Sequence, residues 1–404
     1  MGHSVKEVLP PCRNEPHFFA HWPVFGEDEI SAATSVLASG KVNYWTGNEG
    51  RSFENEFSEF AGTERAVALA NGTLALEAAL IGIGFQPGDE AIVTPRSFVA
   101  SASPVVLAGG IPIFVDVDRK SGNLDPKAVE RAISPRTRAI IAVHLGGRPC
   151  DMDALTAIAE SRNIALIEDC AQAHGARYRG RCVGSIGIVG AWSFCQDKIM
   201  STAGEGGMLT TSDETIWRRV WEYKDHGKSF ERVHRQDHAS GYRWVHDGIG
   251  TNWRMTEVQS AVGRVELRRL EGWVNRRRQN ARILDARLQE SAALRIEVPA
   301  EFEVHAYYKY YFYVRPDALK PDWSRDRIMD SVGSFGVPCY SGSCSEIYLE
   351  RGFADRGFSP PSRLPVAREL GETALMLLVH PTLGETDMNY AAGVVNDVMR
   401  EATR

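Results

Sequence analysis

Between residues 65 and 170 the chain alternates short apolar, β-branched runs with stretches of helical periodicity. Strands are predicted at 66–70, 91–94, 111–117, 138–145 and 164–168, with helices between them that include 73–84 and 98–107. Strands that run in the same direction must be joined across a face of the sheet, so this alternation requires crossover connections. The sequence therefore predicts an α/β fold with a mostly parallel central sheet and helices on both faces.

After residue 169 the predicted strands are shorter and more closely spaced, at 183–185, 191–194 and 208–211, with glycine-rich turns between them. Residues 224–253 are polar and aromatic without a clear period, and so long an irregular stretch is usually functional or interfacial. A long helix is predicted at 256–289, and the remainder indicates a smaller α+β domain. We expect an N-terminal arm at 1–25, a large domain at 26–262 and a small domain at 263–404.

Charge and hydropathy exclude several classes of partner. The 46 Lys and Arg residues against 52 Asp and Glu residues leave a net charge of −6, so no global attraction draws the chain to nucleic acid or to an anionic membrane surface. No apolar run approaches the roughly 18 residues that a membrane-spanning helix needs. We expect a soluble protein without a nucleic-acid or membrane partner, in which any anionic ligand is bound locally.

The seven cysteines are scattered and form no Cys-x-x-Cys pair, which fits a reducing, cytoplasmic compartment. His234, His238 and His246 lie in the irregular polar stretch, where nothing indicates that they converge. We predict no metal site.

The first segment that can carry chemistry is Asn71-Gly72-Thr73, between a predicted strand and a predicted helix. Glycine permits a tight turn there, and the free N–H groups of the first helical turn, with the threonine hydroxyl, suit a phosphate. A plain N-cap turn without a ligand is the alternative interpretation.

The second segment begins with Glu168-Asp169 at the end of a buried strand, an edge where open α/β sheets bind ligands. Asp169 can keep a heteroaromatic nitrogen protonated, and Gln172 can hydrogen-bond a neighbouring ring substituent. The alternative is that Asp169 simply caps the next helix.

The third segment runs from Ser193 through Lys198 to the turn Gly204-Glu205-Gly206-Gly207. A lysine in such surroundings can serve as an amine for a Schiff base, whereas an ordinary surface lysine is the alternative. A phosphate cup, a carboxylate for a pyridine nitrogen and a Schiff-base lysine together are what pyridoxal 5'-phosphate (PLP) requires of a protein.

The chain resembles the DegT/StrS family of sugar aminotransferases, which have the aspartate-aminotransferase fold (fold type I). The resemblance is carried by Phe53-Glu54, Asn71-Gly72-Thr73, Pro87-Gly88-Asp89-Glu90, Val115-Asp116-Val117-Asp118, Val143-His144-Leu145, the Glu168 and Lys198 segments, Gly204-Glu205-Gly206-Gly207 and Asn252-Trp253-Arg254-Met255. It implies that Lys198 is the catalytic Schiff-base lysine, that Asp169 pairs with the pyridine nitrogen, and that Gln172 reaches the ring oxygen. It further implies that Phe98 stacks on the ring and that Gly72, Thr73 and Ser193 hold the phosphate. Asn252 is implied to complete the phosphate cup of the neighbouring subunit in a homodimer with shared active sites.

The function that this resemblance implies is transfer of an amino group from glutamate or glutamine to a keto sugar, nucleotide-linked, in aminosugar biosynthesis. The alternatives are a PLP-dependent sugar dehydratase, an aminotransferase for a cyclitol ketone, and a non-catalytic PLP-binding sensor. Lys198 argues against the dehydratase, because dehydrating members carry histidine in place of that lysine.

The acceptor pocket is expected to differ from the commonest one in the family. Many members carry a histidine where this chain has Tyr307-Tyr308-Lys309-Tyr310, and residues 337–344 depart from a common His-Tyr pattern. Tyr44, His226 and Tyr308 are the candidate substrate residues.

Overall fold

The computed structural model describes residues 17–237 and 240–403. Cys12, His238 and residues 1–16 of the expected N-terminal arm lie outside the described residues. Within the described ranges, no helix combines the length and the apolar character needed to cross a bilayer.

In chain order the strands are β1 (Arg65–Leu69), β2 (Glu90–Val93), β3 (Ile111–Phe114), β4 (Thr137–Val143), β5 (Ala165–Asp169), β6 (Arg177–Tyr178), β7 (Arg181–Cys182), β8 (Val189–Ser193), β9 (Gly207–Thr211), β10 (Leu294–Arg295), β11 (Glu303–Val304), β12 (Tyr310–Val314), β13 (Cys339–Tyr340) and β14 (Ala374–Leu377). The helices are α1 (Glu27–Ser39), α2 (Glu49–Ala61), α3 (Gly72–Gly82), α4 (Ser103–Leu107), α5 (Pro126–Ala132), α6 (Met152–Arg162), α7 (Glu214–Tyr223), α8 (Phe230–His234), α9 (Glu257–Leu288), α10 (Arg325–Ser334), α11 (Arg351–Ala354), α12 (Pro365–Thr373) and α13 (Glu385–Ala402).

The central sheet has seven strands in the order β1-β9-β8-β5-β4-β2-β3. The pairs from β8 to β3 are parallel, and β9 runs antiparallel to both of its neighbours. Alternate residues of a strand enter hydrophobic clusters on opposite faces: Ile141 and Val143 pack with α3 and α7, whereas Ile140 and Ala142 pack with α5 and α6. The mostly parallel sheet with helices on both faces, predicted from the sequence, is confirmed.

A second hydrophobic core lies around the antiparallel sheet β10-β12-β14-β13, which packs with α10 and α13. This is the smaller α+β unit expected at the C-terminal end. Helix α9 contributes to both cores, with Leu270 and Val274 in a core of the large sheet and Ala281, Leu284 and Leu288 in the second core. The expected domain boundary at 262/263 thus falls inside α9, and the division into three parts stays a prediction.

Two predicted elements differ from the structure. The helix predicted at 98–107 is divided into a short 3-10 turn and α4, because Pro104 lies in the first turn of a new helix, where its missing N–H costs nothing. The strand predicted at 183–185 is instead a turn after β7. Gly184 has a φ of +82° there, and a Cβ at this position would lie 2.3 Å from the Trp192 ring.

Candidate active site

The residues predicted to carry chemistry lie at the carboxyl edge of the central sheet. Asp169 is the last residue of β5, Ser193 is the last residue of β8, and Phe98 lies in the loop after β2. Parallel strands end at the same edge, which brings these residues together although they are far apart in sequence.

Asp169 is buried and held by two hydrogen bonds. The Ser101 hydroxyl donates to its Oδ2 at 2.7 Å, and the Ala171 N–H donates to its Oδ1 at 3.1 Å. Burial raises the pKa of this carboxyl, and the positive charge of Lys198 is among the influences that counteract the rise. The residues that follow form turns, so Asp169 does not cap a helix and the alternative interpretation is wrong.

The neighbouring Glu168 and His144 fix the end of β5. His144 Nδ1 accepts the Cys150 N–H at 3.0 Å, so its Nε2 carries the proton and donates to Glu168 Oε2 at 3.0 Å. The N–H groups of Ile186 and Gly187 both donate to Glu168 Oε1 at 2.7 Å. Although His144, Glu168 and Cys170 bring possible metal-ligand atoms within 4.8 Å, hydrogen bonds already occupy the imidazole and carboxylate atoms. This cluster positions Asp169.

An anion cradle lies where α3 begins beside the end of β8. The Asn71 side chain accepts the Leu74 N–H at 3.0 Å, while the N–H groups of Gly72 and Thr73 have no intrahelical partner. A Cβ on Gly72 would lie 2.4 Å from Ser193 Cβ, so only glycine permits this close approach. The first helical turn and the Ser193 hydroxyl together suit a phosphate group.

Lys198 lies in the turn after β8, with the largely exposed carboxylate of Asp197 beside it. Its Nζ is 3.6 Å from Asp197 Oδ1 and 4.9 Å from the centre of the Tyr308 ring. The Tyr308 hydroxyl donates to Asp197 Oδ2. Burial opposes ionisation of Asp197, but Lys198 and the Tyr308 hydrogen bond outweigh burial and lower its pKa. The backbone of this turn is also anchored, because Trp22 Nε1 donates to the Lys198 carbonyl at 2.8 Å.

Two further predicted cofactor residues differ in their surroundings. Gln172 is buried, and its Oε1 accepts the Gly146 N–H at 2.8 Å, which fixes the amide and leaves its NH₂ group for another partner. The Phe98 side chain is 66% exposed, which makes it a large apolar surface at the carboxyl edge of the sheet.

The candidate substrate residues do not share one location. Tyr308 lies against Lys198, as described above, whereas Tyr44 is buried and donates to Glu54 Oε2 at 3.0 Å, with Lys224 Nζ 4.3 Å from its ring centre. Within the described ranges no contact joins Tyr44 to Lys198, and its surroundings are those of a packing residue.

His226 and Asn252 are exposed neighbours in the irregular stretch, outside the Lys198 cluster. The His226 N–H donates to the Thr251 carbonyl at 3.0 Å, and Asp225 and Asn252 form an isolated β-bridge. The turn after His226 requires glycine at position 227. The φ of Gly227 is +77°, and a Cβ there would lie 2.1 Å from the Gly248 carbonyl oxygen.

Several residues of the site carry no local signal in the sequence. Ser101 and Asp197 lie close in sequence to predicted site residues, yet only the fold shows that Ser101 bonds Asp169 and that Asp197 pairs with Lys198. Trp22 and Arg277 reach the site from the start of the described chain and from α9. Lys309 lies in the unusual Tyr307-Tyr308-Lys309-Tyr310 run, in which only Tyr308 is a predicted substrate residue.

Comparison with known proteins agrees with this geometry. The model of the DegT/DnrJ/EryC1/StrS aminotransferase family matches residues 23–396. The chain is 32% identical to GDP-perosamine synthase from Escherichia coli O157:H7 over 363 residues, covering 90% of this chain and 92% of that protein. It is 34% identical to dTDP-3-amino-3,4,6-trideoxy-alpha-D-glucose transaminase from Streptomyces venezuelae over 354 residues, covering 87% of each. The crystal structure of an aminotransferase from Psychrobacter cryohalolentis superposes with a TM-score of 0.93 at 51% identity, covering 95% of this chain and 99% of that one.

Fold and site together define an enzyme, a PLP-dependent transaminase of fold type I. The chain belongs to the DegT/DnrJ/EryC1/StrS aminotransferase family.

Proposed function

We propose that this enzyme transfers an amino group from glutamate or glutamine to a nucleotide-linked keto sugar in aminosugar biosynthesis. The observation that carries the proposal is the set of three groups at one edge of the sheet: the Lys198 amine, the buried Asp169 carboxylate and the N-terminus of α3. The names of two relatives, a perosamine synthase and an aminosugar transaminase, support a sugar acceptor.

The residues present fit PLP. The cradle of Gly72, Thr73 and Ser193 is closed to a side chain and suits the phosphate, and a buried carboxylate such as Asp169 suits a protonated pyridine nitrogen. The free NH₂ group of Gln172 is assigned to the ring oxygen, and the exposed Phe98 ring to stacking. Bound PLP supplies an electron-withdrawing ring that stabilises negative charge at the α-carbon of the amino donor.

The protein supplies the proton transfer. Lys198 as a neutral amine takes the proton from the donor's α-carbon, and in the opposite half-reaction it returns a proton to the acceptor carbon. Asp197, 3.6 Å from Nζ, stabilises the ammonium form that results, and the Tyr308 hydroxyl keeps Asp197 in place.

The test is an absorbance scan of the purified holoenzyme before and after addition of glutamate, and then of glutamine. We expect one donor to bleach the band of the bound cofactor, which identifies the donor, and product analysis with keto sugars to find an aminosugar. Lys198→Ala should lower turnover at least ~10²–10⁴-fold, whereas the exposed Lys127→Ala should leave it unchanged. Turnover of Lys198→Ala near the wild-type rate refutes the role of Lys198, and a deoxysugar product favours the dehydratase.

We further propose a homodimer in which Asn252 of each subunit completes the phosphate cup of the other. Support comes from the exposure of Asn252 and from the exposed apolar side chains of the same irregular stretch, Tyr242, Trp244 and Ile249. Mixed dimers of Lys198→Ala and Asn252→Ala test this arrangement, because one of their two sites then has both intact residues. We expect activity to return when the two inactive variants are unfolded and refolded together; no return refutes shared sites.

The same proposal assigns the enzyme to a reducing compartment such as the cytoplasm. Its support is that the cysteines of the described ranges, among them Cys150, Cys170 and Cys182, are free thiols.

A further inference from the structure

Lys309 carries a second ammonium group into the surroundings of Lys198. It immediately precedes β12 and follows Tyr308. Its Nζ lies 4.8 Å from the centre of the Tyr308 ring, and the Lys198 Nζ lies 4.9 Å from the same ring centre. One aromatic ring therefore contacts both ammonium groups.

Within the described ranges, the Lys309 ammonium has no hydrogen-bonded acceptor and no ion pair within 4.0 Å. The nearby carboxylate, Asp197, already accepts the Tyr308 hydroxyl and pairs with Lys198. A half-buried cation without an anionic partner is costly for a folded protein, which points to a partner that arrives with a ligand.

Arg277 on α9 adds a buried positive charge in the same place. It is 2% exposed, and its Nη1 donates to the carbonyl oxygens of Tyr307 at 3.4 Å and Tyr308 at 3.2 Å. Among the residues that the structure describes, its Nε and Nη2 have no hydrogen-bond partner. Burial lowers the pKa of Arg277 to about 9.

The electrostatic balance of this region is positive. Burial, together with the positive charges of Arg277 and Lys198, lowers the pKa of Lys309 to about 8, and the negative charge of Asp197 only partly opposes this shift. His380, which also senses the charges of Arg277 and Lys309, is held neutral, because burial lowers its pKa to about 3. Two cationic side chains, Lys309 and Arg277, thus lie near the reacting Lys198 amine and the single Asp197 carboxylate that pairs with it.

We propose that Lys309, with Arg277 behind it, forms a carboxylate-binding subsite and that Lys309 determines specificity for a substrate that carries a carboxylate. The inference rests on the proposed function, because the subsite adjoins Lys198. A carboxylate, with its single negative charge, matches the one partly exposed ammonium group that Lys309 offers, because Arg277 is fully buried. The carboxylate has two possible sources, the amino donor or an acidic sugar acceptor.

The experiment uses the holoenzyme with Lys309→Met, which removes the charge, and Lys309→Arg, which keeps it. Lys127→Met is the matched control, because Lys127 is exposed on α5. Calorimetric titration with glutarate, an unreactive dicarboxylate, measures binding without turnover. We expect Lys309→Met to weaken binding about 10- to 100-fold, as for loss of a hydrogen bond between charged groups, and Lys309→Arg to retain most of the affinity.

Two pairs of reactants identify the source of the carboxylate. Glutamine has only the α-carboxylate, and isoglutamine has only the side-chain carboxylate. If the subsite binds the amino donor, Lys309→Met raises KM for one of these two donors and not for the other. If it binds the acceptor, Lys309→Met raises KM for a nucleotide-linked keto uronic acid and not for the neutral keto sugar. Either pattern supports the proposal.

The proposal is overturned if Lys309→Met retains wild-type affinity for glutarate and wild-type KM for all four reactants. It is also overturned if the variant no longer binds PLP, because Lys309 then belongs to the cofactor site. Failure of the wild-type enzyme to transaminate any reactant refutes the proposed function instead, and glutarate binding that depends on Lys309 would still support the subsite.

Discussion

Replacement of Gly72 by alanine tests the close packing of the anion cradle. The added Cβ would lie 2.4 Å from Ser193 Cβ and 3.0 Å from Ser193 Cα. The first distance is about 1 Å short of the ~3.5 Å at which carbon atoms normally make contact. Rotation of the serine side chain cannot relieve the overlap, because neither Cα nor Cβ moves with χ1. The start of α3 must therefore move away from β8.

The expected cost follows from that displacement. Overpacking of a close-packed region costs typically about 1–3 kcal/mol. If the movement displaces the N–H groups of Gly72 and Thr73 from the phosphate, binding of PLP is weakened by the same free energy. About 1.4 kcal/mol corresponds to a tenfold change in the dissociation constant. We expect the dissociation constant for PLP to rise roughly 5- to 150-fold.

The assay is spectroscopic titration of the apoenzyme with PLP, together with urea unfolding. Gly272→Ala is the matched control, because Gly272 is exposed within α9 and a Cβ there meets no atom of the described residues within 4 Å. This control should keep the affinity for PLP and gain up to about 1 kcal/mol in stability, as alanine does in a helix. If Gly72→Ala binds PLP as tightly as the wild type does and unfolds at the same urea concentration, the reasoning about the cradle is refuted.

Two predictions concern buried charges away from the reacting groups. Lys224 is fully buried, and its Nζ lies 2.8 Å from Glu54 Oε1, so Lys224→Met should lower the free energy of unfolding in urea by about 3–5 kcal/mol. Arg218→Ala, which breaks an exposed ion pair, should lower it by less than about 1 kcal/mol. Similar losses for the two variants would contradict this prediction. Burial raises the pKa of Glu266 to about 8, so the folded state holds a proton that the unfolded state releases near pH 4.5. The free energy of unfolding should therefore fall as the pH rises from 5 to 8, by at most about 1.4 kcal/mol per pH unit. Glu266→Gln, which still accepts the Ser201 N–H, should remove this contribution, and an unchanged pH profile would refute it.

The sequence by itself determined the features that depend on neighbours along the chain. The alternation of strands and helices predicted the parallel sheet, because apolar side chains recur with one short spacing along a strand and with another along a helix. Asp169 and Lys198 were recognisable because Asp169 ends one buried strand and Lys198 lies in the turn after another, and parallel strands end at the same edge of a sheet. The glycine at position 72 indicated an anion cradle for the same local reason.

Only the tertiary structure decided which distant side chains meet. The Tyr308 hydroxyl bonds Asp197 across 111 residues of chain, and Trp22 holds the Lys198 carbonyl across 176. The hydroxyl of Tyr44, a candidate substrate residue, is bonded to Glu54 in the core. Such contacts depend on how the two cores pack against each other, and the periodic spacing of apolar residues along a strand or helix does not encode that packing. The same packing brings the Lys309 ammonium close to the reacting lysine.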